Sequence, residues 1–335
     1  MALARFILRL LLPSLFLFAE DTISTAIPST RRSTRSYAAL GDSYAAGAGA
    51  GYPLGLGLGC GYFSDAYPVQ VANSSLLDIK NVRILACGGA TTLTVLHDQI
   101  PLVGDPDLLS VTVSGNEVDF VGVLNECIYH FWPSSTCEAE VAKARRLIES
   151  ALGDNLRALI RGANERLRPG ALLIMTGYAR FFNAETDLCD HATFSRTRPL
   201  DYLTKAKRRT LNGLVDILND VIRATAEAYG AVYLDIDTVF EGHRFCEEGV
   251  QEPDIGRSET WFFNIPAPET AQTLTEQRLQ LQTLESSQVE AGRIKHYADA
   301  KVFRIFHPTS LGHKRISEAL VEKVMLLEAS TGRDG

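Results

Sequence analysis

Five short apolar segments, with long stretches of helical periodicity between the later ones, restrict the folds that this chain can adopt. The five segments span residues 37–40, 82–86, 109–113, 171–176 and 231–235. Most are continuous apolar runs rather than alternating ones, which is typical of parallel strands buried on both faces of a sheet. Helical patterns cover 138–168 and 201–229 and are closed by Gly170 and Gly230. The sequence therefore predicts an α/β protein, a three-layer α/β/α sandwich around a parallel sheet.

The first apolar segment ends abruptly in Gly41-Asp42-Ser43 and is followed by a glycine-rich loop. A strand that ends in this way delivers the serine to the edge of the sheet, and the glycines permit a tight backbone path. The following turn can direct main-chain N–H groups at an anion, which suits a nucleophile. Gly-Asp-Ser is also common in ordinary turns, so this interpretation depends on partner residues elsewhere in the chain.

Two further segments supply partners at the same edge of the predicted sheet. One strand runs into a loop that contains Gly89, and another ends in Gly115-Asn116. Loops at the carboxyl ends of neighbouring parallel strands converge on one crevice, so separate loops can share a site. Gly89 lets a backbone N–H approach a ligand closely, and Asn116 carries an amide donor. Together with the N–H of Ser43, they predict three donors for a developing oxyanion.

A histidine near the end of the chain can act on the serine. His307 directly precedes Pro308, in a sequence typical of a loop that enters a helix around Leu311. A neutral imidazole held there can accept the hydroxyl proton of Ser43 and return it to a leaving group. His313 lies inside the predicted helix, where we expect a structural role.

The motif that ends in Ser43, together with Gly89, Asn116 and His307 in this order, resembles the SGNH hydrolases, also called the GDSL lipases and esterases. The resemblance extends from about residue 36 to the C terminus and implies a flavodoxin-like parallel sheet. It implies that Ser43 is the nucleophile, that His307 is the general base, and that Gly89 and Asn116 form the oxyanion hole with the Ser43 N–H. Neither a metal ion nor an organic cofactor is expected.

One position departs from the family pattern. Most members have an aspartate three residues before the catalytic histidine, whereas this chain has Arg304, whose side chain cannot accept a proton. We expect the main-chain carbonyl of Arg304 to accept the Nδ1–H of His307 instead. A carbonyl fixes the tautomer but compensates an imidazolium less than an anion does. Asp235 and Asp237, at the end of the last predicted strand, are the alternative orienting groups.

Six cysteines in a chain with an export pattern predict disulfides, although six cysteines allow fifteen pairings. A zinc site is disfavoured because the chain has no Cys-x-x-Cys pair and no cluster of histidines. The segments around Cys87, Gly177 and Cys246 resemble the secreted, disulfide-containing branch of the family known from actinomycete and fungal esterases and lipases. That resemblance implies pairing in consecutive order, which is Cys60 with Cys87, Cys127 with Cys137, and Cys189 with Cys246.

Residues 1–26 have the pattern of a secretory signal peptide, with early arginines at Arg5 and Arg9 and a short apolar run. The apolar part is too short for a comfortable membrane span, and small residues at positions 19 and 26 are possible cleavage points. A retained N-terminal anchor is the alternative. Residues 27–35 are then a linker or short pro-segment, and 36–335 form a single domain.

Composition supports one exported domain. Of the 335 residues, 46% are hydrophobic, which is enough for a single sizeable core. A net charge of −7 without a long basic stripe argues against a nucleic-acid partner, and we expect a monomer without a stable membrane anchor. The densest basic run, 205–209, is expected on the solvated face of a helix. Asn73 begins a sequon, which would be glycosylated only in a eukaryotic secretory pathway.

An irregular region at about 241–301 is expected to be an insertion that precedes His307. It contains 261–264, which looks exposed, and 269–291, which looks helical. The 269–291 segment could border or cover an acyl pocket, or it could be a solvated surface helix. The loop 51–59, rich in glycine and leucine, could favour an apolar acyl group or could simply pack on the core.

These patterns predict a secreted serine esterase or lipase that acts through an acyl-enzyme on Ser43. The Gly-x-Ser-x-Gly pattern of α/β-hydrolases is absent, and no part of 47–61 satisfies the Gly-x-Gly-x-x-Gly pattern of dinucleotide-binding proteins. A non-catalytic lipid- or carbohydrate-binding protein on the same scaffold is one alternative. An esterase of acylated polysaccharide is another, because the chain alone does not identify the ester.

Overall fold

The part of the chain that the structure describes contains seven strands and eight α-helices, together with two π-helical and two 3₁₀ segments. The computed structural model describes residues 35–54, 60–131, 135–195, 197–253, 259–264 and 304–331. The strands are β1 (Arg35–Gly41), β2 (Pro53–Leu54), β3 (Tyr62–Phe63), β4 (Ile79–Ile84), β5 (Leu108–Thr112), β6 (Leu172–Thr176) and β7 (Val232–Leu234). The helices are α1 (Ser43–Ala46), α2 (Tyr67–Ala72), α3 (Thr92–Thr94), α4 (Phe120–Leu124), α5 (Cys137–Ser150), α6 (Leu152–Asn164), α7 (Lys205–Ala228) and α8 (Ser310–Thr331).

Five parallel strands form the central sheet in the order β4-β1-β5-β6-β7, with helices packed against it. All five predicted segments are strands of this sheet, and the predicted α/β fold with a parallel sheet is confirmed. The central strand β5 is buried along its whole length, which explains its continuous apolar run. The small antiparallel sheet of β2 and β3, in the loop after α1, was not predicted.

The helix predicted over 138–168 is wrong as a single element. The structure has α5 and α6, which separate at Ala151, and both pack against α7. Gly153, a poor helix former, lies next to the break. Thr136 begins α5 by accepting the N–H of Ala139, as a helix cap does. Among the described helices, none is both long and apolar enough to cross a membrane.

The strand order brings three loops to one crevice. From β1 the chain crosses to β4 on one side and then to β5 on the other, so the order of the strands reverses between β1 and β5. In an open parallel sheet, the carboxyl ends of the strands at such a reversal leave a crevice between their loops. The loops after β1, β4 and β5, which contain Ser43, Gly89 and Asn116, all leave the sheet at this edge.

Three disulfides join the cysteines in the pairs that the resemblance implied. Cys60–Cys87, Cys127–Cys137 and Cys189–Cys246 have Cα separations of 4.9, 4.6 and 5.7 Å. The first disulfide ties the loop after β1 to the loop after β4, two residues before Gly89. The main-chain N–H of Cys87 also donates to the carbonyl of Gly41, so the two loops are joined by a covalent bond and a hydrogen bond.

The described part of the 241–301 insertion supports the histidine loop. The segment 261–264 was expected to be exposed, but Trp261 and Phe262 are buried, because this segment pairs with the chain around His307. The N–H of Phe263 donates to the carbonyl of His307, and the N–H of Phe306 donates to the carbonyl of Phe263. The predicted segment 269–291, the predicted signal peptide 1–26, the 27–35 linker except Arg35, and residues 55–59 of the loop 51–59 lie outside the described residues.

Candidate active site

Ser43 lies where β1 ends and α1 begins. Gly41, the last residue of β1, has a φ of +135°, and a Cβ atom there would lie 2.0 Å from the carbonyl oxygen of Thr112. Only glycine permits this close approach between the ends of β1 and β5. Asp42 caps α1 by accepting the N–H of Tyr44 at 2.9 Å. These two residues make Ser43 the first residue of a helix at the carboxyl edge of the sheet.

Ser43 and His307 are in direct contact although they are far apart in the sequence. The distance between Ser43 Oγ and His307 Nε2 is 2.6 Å, and Nδ1 lies 3.2 Å from the carbonyl oxygen of Ile305. A carbonyl can only accept, so Nδ1 carries the proton and Nε2 is the lone-pair nitrogen that accepts from the serine hydroxyl. The two side chains therefore have the geometry of a nucleophile and its general base.

The surroundings of His307 keep its imidazole neutral near pH 7. Burial lowers the pKa of His307 to about 4, although the carbonyls of Ile305 and Arg304 act in the opposite direction. A base must be unprotonated to accept the proton of a serine hydroxyl. The imidazole is therefore in its active form over the whole neutral range.

The group that orients His307 differs from the one expected. Arg304 was expected to accept the Nδ1–H, but its carbonyl accepts the main-chain N–H of His307 at 2.9 Å, and the Ile305 carbonyl accepts from the ring. The reason is the tight turn from Arg304 to His307, in which Phe306 has a φ of +62°. The ring interacts with both carbonyls, with Ile305 as its hydrogen-bond partner.

The alternative orienting carboxylates have other partners. Asp237 Oδ2 accepts a hydrogen bond from Arg180 Nε at 2.8 Å, and Asp237 Oδ1 accepts one from Arg244 Nη2 at 2.9 Å. Although burial alone would raise the pKa of Asp237, these arginines lower it. Asp235 accepts the N–H of Asp237. The structure thus places both carboxylates in a separate ion-pair network that includes Arg223.

The turn that carries His307 is held from several sides. A positive φ is strained for a bulky residue such as Phe306 and persists only where the surroundings enforce it. The ring of Phe306 is buried 4.8 Å from that of Phe181 and 5.0 Å from that of Phe245, measured between centroids. The hydroxyl of Tyr44 donates to the Phe306 carbonyl at 2.7 Å. Tyr44 directly follows Ser43, and Phe306 directly precedes His307. This hydrogen bond therefore links the segment that carries the serine to the segment that carries the histidine.

The loops that carry the expected oxyanion donors are joined by a hydrogen bond, and a Cβ atom on Gly88, next to Gly89, would lie 3.9 Å from Ser43 Cβ. Gly89 has a φ of +81° in a turn closed by the Ala90 N–H and the Cys87 carbonyl, and a Cβ atom on Gly89 would meet nothing within 4 Å. The side-chain amide of Asn116 donates one N–H to the Ala90 carbonyl at 2.9 Å, which leaves its second N–H for a ligand. Gly89 and Asn116 therefore belong to one hydrogen-bonded unit, in which Gly89 is exposed and Asn116 is partly exposed.

The other residues named from the sequence lie away from the Ser43–His307 contact. His313 is fully buried in α8, and its Nδ1 accepts the N–H of Tyr67 at 3.3 Å, which agrees with a structural role. Asn73 is exposed at the end of α2. Sequence analysis missed the contributions of Tyr44 and Ile305. It also missed the role of Tyr178, which lies in the segment around Gly177 that resembles the family and follows a strand that ends at the same sheet edge.

Comparison with known proteins gives a consistent result. The sequence model of the GDSL-like lipase/acylhydrolase family matches residues 39–315. A lipase from Streptomyces rimosus is 31% identical over 238 residues, which cover 71% of this chain and 82% of that protein. Lipase 1 from Streptomyces coelicolor is 30% identical over 224 residues, which cover 67% of this chain and 77% of that protein.

One solved structure extends the similarity to three dimensions. The crystal structure of the extracellular lipase from Streptomyces rimosus has a TM-score of 0.63 to this chain at 25% sequence identity. The superposition covers 87% of this chain and 99% of that one. The similarity therefore extends over nearly the whole length of the Streptomyces rimosus lipase and is not confined to the motifs around Ser43 and His307.

Proposed function

The chain belongs to the GDSL-like lipase/acylhydrolase family and is an ester hydrolase, and we propose that Ser43 and His307 carry out its catalysis. The observation that supports this assignment is the 2.6 Å contact between Ser43 Oγ and the lone-pair nitrogen of His307. In this proposal Ser43 is the nucleophile and His307 is the general base. The Ile305 carbonyl holds the tautomer that the reaction needs.

The reaction proceeds in two halves. Nε2 of His307 takes the hydroxyl proton while Ser43 Oγ forms a bond to the ester carbonyl carbon, and the carbonyl electron pair moves onto its oxygen. When the carbonyl re-forms, the bond to the alcohol breaks, and His307 gives the proton to the leaving alkoxide. Water, deprotonated by the same nitrogen, then attacks the acyl carbon. When this second tetrahedral intermediate collapses, the bond from the carbon to Ser43 Oγ breaks and His307 gives the proton to that oxygen, which releases the acid and the free serine.

The negative oxygen of each tetrahedral intermediate is held by the N–H groups of Ser43 and Gly89 and by the amide of Asn116. Each such donor stabilises the transition state by about 3 kcal/mol. This contribution matters more here than in an enzyme with a Ser-His-Asp triad, because a neutral carbonyl compensates the imidazolium less than a carboxylate does.

We also propose a lipid ester as the substrate and an extracellular location. The relatives named lipases and the extracellular lipase from Streptomyces rimosus support both, and the three disulfides fit an oxidising compartment. Residues 1–26 would then be removed as a signal peptide, with 36–335 as one monomeric domain that carries the 241–301 insertion. Asn73, which is exposed, would carry glycan only if a eukaryotic cell exports the protein.

The test is hydrolysis of p-nitrophenyl esters of increasing acyl length by the purified enzyme and its variants. We expect Ser43→Ala to reduce kcat by about 10⁴-fold or more, and His307→Ala to have an effect of similar size. Ser150→Ala, at the exposed end of α5, is the matched control and should retain full activity. Wild-type turnover by folded Ser43→Ala would contradict the proposal.

A further inference from the structure

We propose that the hydroxyl of Tyr178 is a positioning group that connects the nucleophile turn to the oxyanion loop through Asp42. This inference rests on the proposed function, because it assigns a role within the same site. Tyr178 follows β6 and is 5% exposed, and Asp42 is 2% exposed. Neither side chain reaches a substrate in the proposed mechanism, so both act through the groups that they hold.

Three hydrogen bonds define the connection. The Gly115 N–H donates to the Tyr178 hydroxyl at 3.0 Å, and that hydroxyl donates to Asp42 Oδ2 at 2.5 Å. The second oxygen of Asp42, Oδ1, accepts the N–H of Tyr44. Gly115 precedes the oxyanion donor Asn116, and Asp42 precedes the nucleophile Ser43. A single hydroxyl therefore bridges the two loops that meet the reacting carbonyl, beyond the point where the main chains of β1 and β5 are paired.

The polarity of this network is determined when Asp42 is a carboxylate. The Tyr178 hydroxyl has one proton, which it donates to Asp42, and it accepts from Gly115 with a lone pair. Both oxygens of Asp42 accept from these donors, so a proton on the carboxyl would displace one of the bonds. The main chain of Tyr178 is fixed independently, since the side chain of Asn219 accepts its N–H at 2.8 Å and donates to its carbonyl at 2.7 Å. The hydroxyl is therefore held by a residue whose main chain is fixed.

Protonation of Asp42 defines the pH range in which the network is complete. Burial raises the pKa of Asp42 to about 7, while hydrogen bonds from Tyr178 and Tyr44 lower it and the charge of Glu117 raises it. The buried hydroxyls of Tyr44 and Tyr67 also interact with this carboxyl. Assays at pH 9 therefore examine the carboxylate form.

The experiment is a double-mutant cycle at pH 9. Tyr178→Phe removes only the hydroxyl. Asp42→Asn keeps an oxygen that can cap α1 but removes the carboxylate acceptor. We expect each variant to lower kcat by between about 10- and 100-fold with KM within about threefold of wild type, because a misplaced donor affects the transition state most. We expect the double variant to be no slower than the slower single variant, since both changes break the same bond.

Tyr37→Phe is the matched control. Its hydroxyl is also buried and hydrogen-bonded, to Ser110 at 2.7 Å, but it connects β1 to β5 below the site. The melting temperature of Tyr37→Phe should shift by about as much as that of Tyr178→Phe, whereas its kcat should equal that of wild type. A boronic acid, which forms a tetrahedral adduct with the serine, should bind Tyr178→Phe more weakly by the same factor as the loss in kcat.

Wild-type kcat in Tyr178→Phe, or equal losses of kcat in Tyr178→Phe and Tyr37→Phe, would overturn this inference. If Tyr178→Phe does not fold, Asp42→Asn alone tests the inference. A wild-type kcat in Asp42→Asn would then overturn the inference. Failure of the proposed function is a different result, namely turnover by Ser43→Ala. An inactive Ser43→Ala combined with a fully active Tyr178→Phe rejects only the role of the tyrosine.

Discussion

His313 gives the protein a pH-dependent stability that can be calculated from its environment. The residue lies in the first turn of α8 and has no exposed surface. Because Nδ1 accepts the N–H of Tyr67, the ring is neutral in the folded protein. Burial, with repulsion from His307, lowers the pKa of His313 to about 3, whereas the ordinary value is about 6.5. The unfolded chain therefore binds a proton at this position several pH units before the folded protein does.

The sign and size of the effect follow from proton linkage. Between pH 7 and 5 the unfolded state gains a proton at His313 and the folded state does not, so the free energy of unfolding falls by about 2 kcal/mol. His307, with its pKa lowered to about 4, changes stability in the same direction. Asp42 acts oppositely, because burial raises its pKa to about 7 and the folded protein takes up that proton first. A variant is therefore needed to isolate His313.

His313→Asn is the suitable variant, because the asparagine oxygen can accept the N–H of Tyr67 and does not titrate. We would measure unfolding by urea at pH 7, 6 and 5 with the disulfides intact. The free energy of unfolding of wild type, minus that of the variant, should fall by about 2 kcal/mol from pH 7 to 5. The exposed His97 provides the control His97→Asn. A difference between wild type and His313→Asn that is constant over this range would refute the reasoning.

Three further predictions concern the site and its support. Asn116→Ala should lower kcat by about 100- to 1000-fold with little change in KM, since it removes an oxyanion donor, and an unchanged kcat in ester hydrolysis would exclude that role. Asp235→Asn should leave kcat/KM within about twofold of wild type, because its carboxylate bonds the Asp237 N–H rather than His307; a loss near 10⁴-fold would identify it as a triad member. Replacing Cys60 and Cys87 together by alanine should lower the free energy of unfolding by about 3 to 4 kcal/mol in urea titrations, and an unchanged midpoint would show that the loop is fixed without the disulfide.

The sheet was predictable because strands that are buried on both faces have continuous apolar sequences. Strands such as β5 admit only apolar or small residues, and Gly230 marks where α7 ends. The break at Ala151 was missed because residues at helical spacing are buried on both sides of it, and one glycine at 153 does not by itself end a helix. The burial of Trp261 was missed for another reason. It depends on pairing with residues around His307, which are distant in sequence.

The site was predictable where function demands a residue type and not where it demands only a backbone group. Ser43, Gly89, Asn116 and His307 each follow a recognisable strand end or precede a helix. Any residue has a carbonyl, so the choice of Ile305 depends on the turn around it and leaves no mark in the sequence. Likewise, nothing in an aromatic residue after a strand shows that its hydroxyl will meet a buried aspartate.

Covalent trapping with a lipid-like phosphonate tests the catalytic role of Ser43 most directly. The phosphonate should react once per molecule, and mass spectrometry of the digested protein should place the adduct on Ser43. His307→Ala should slow the reaction strongly, while Asp235→Asn should react at the wild-type rate. Full inhibition of the esterase with the adduct on another residue, or with unmodified Ser43, would contradict the mechanism.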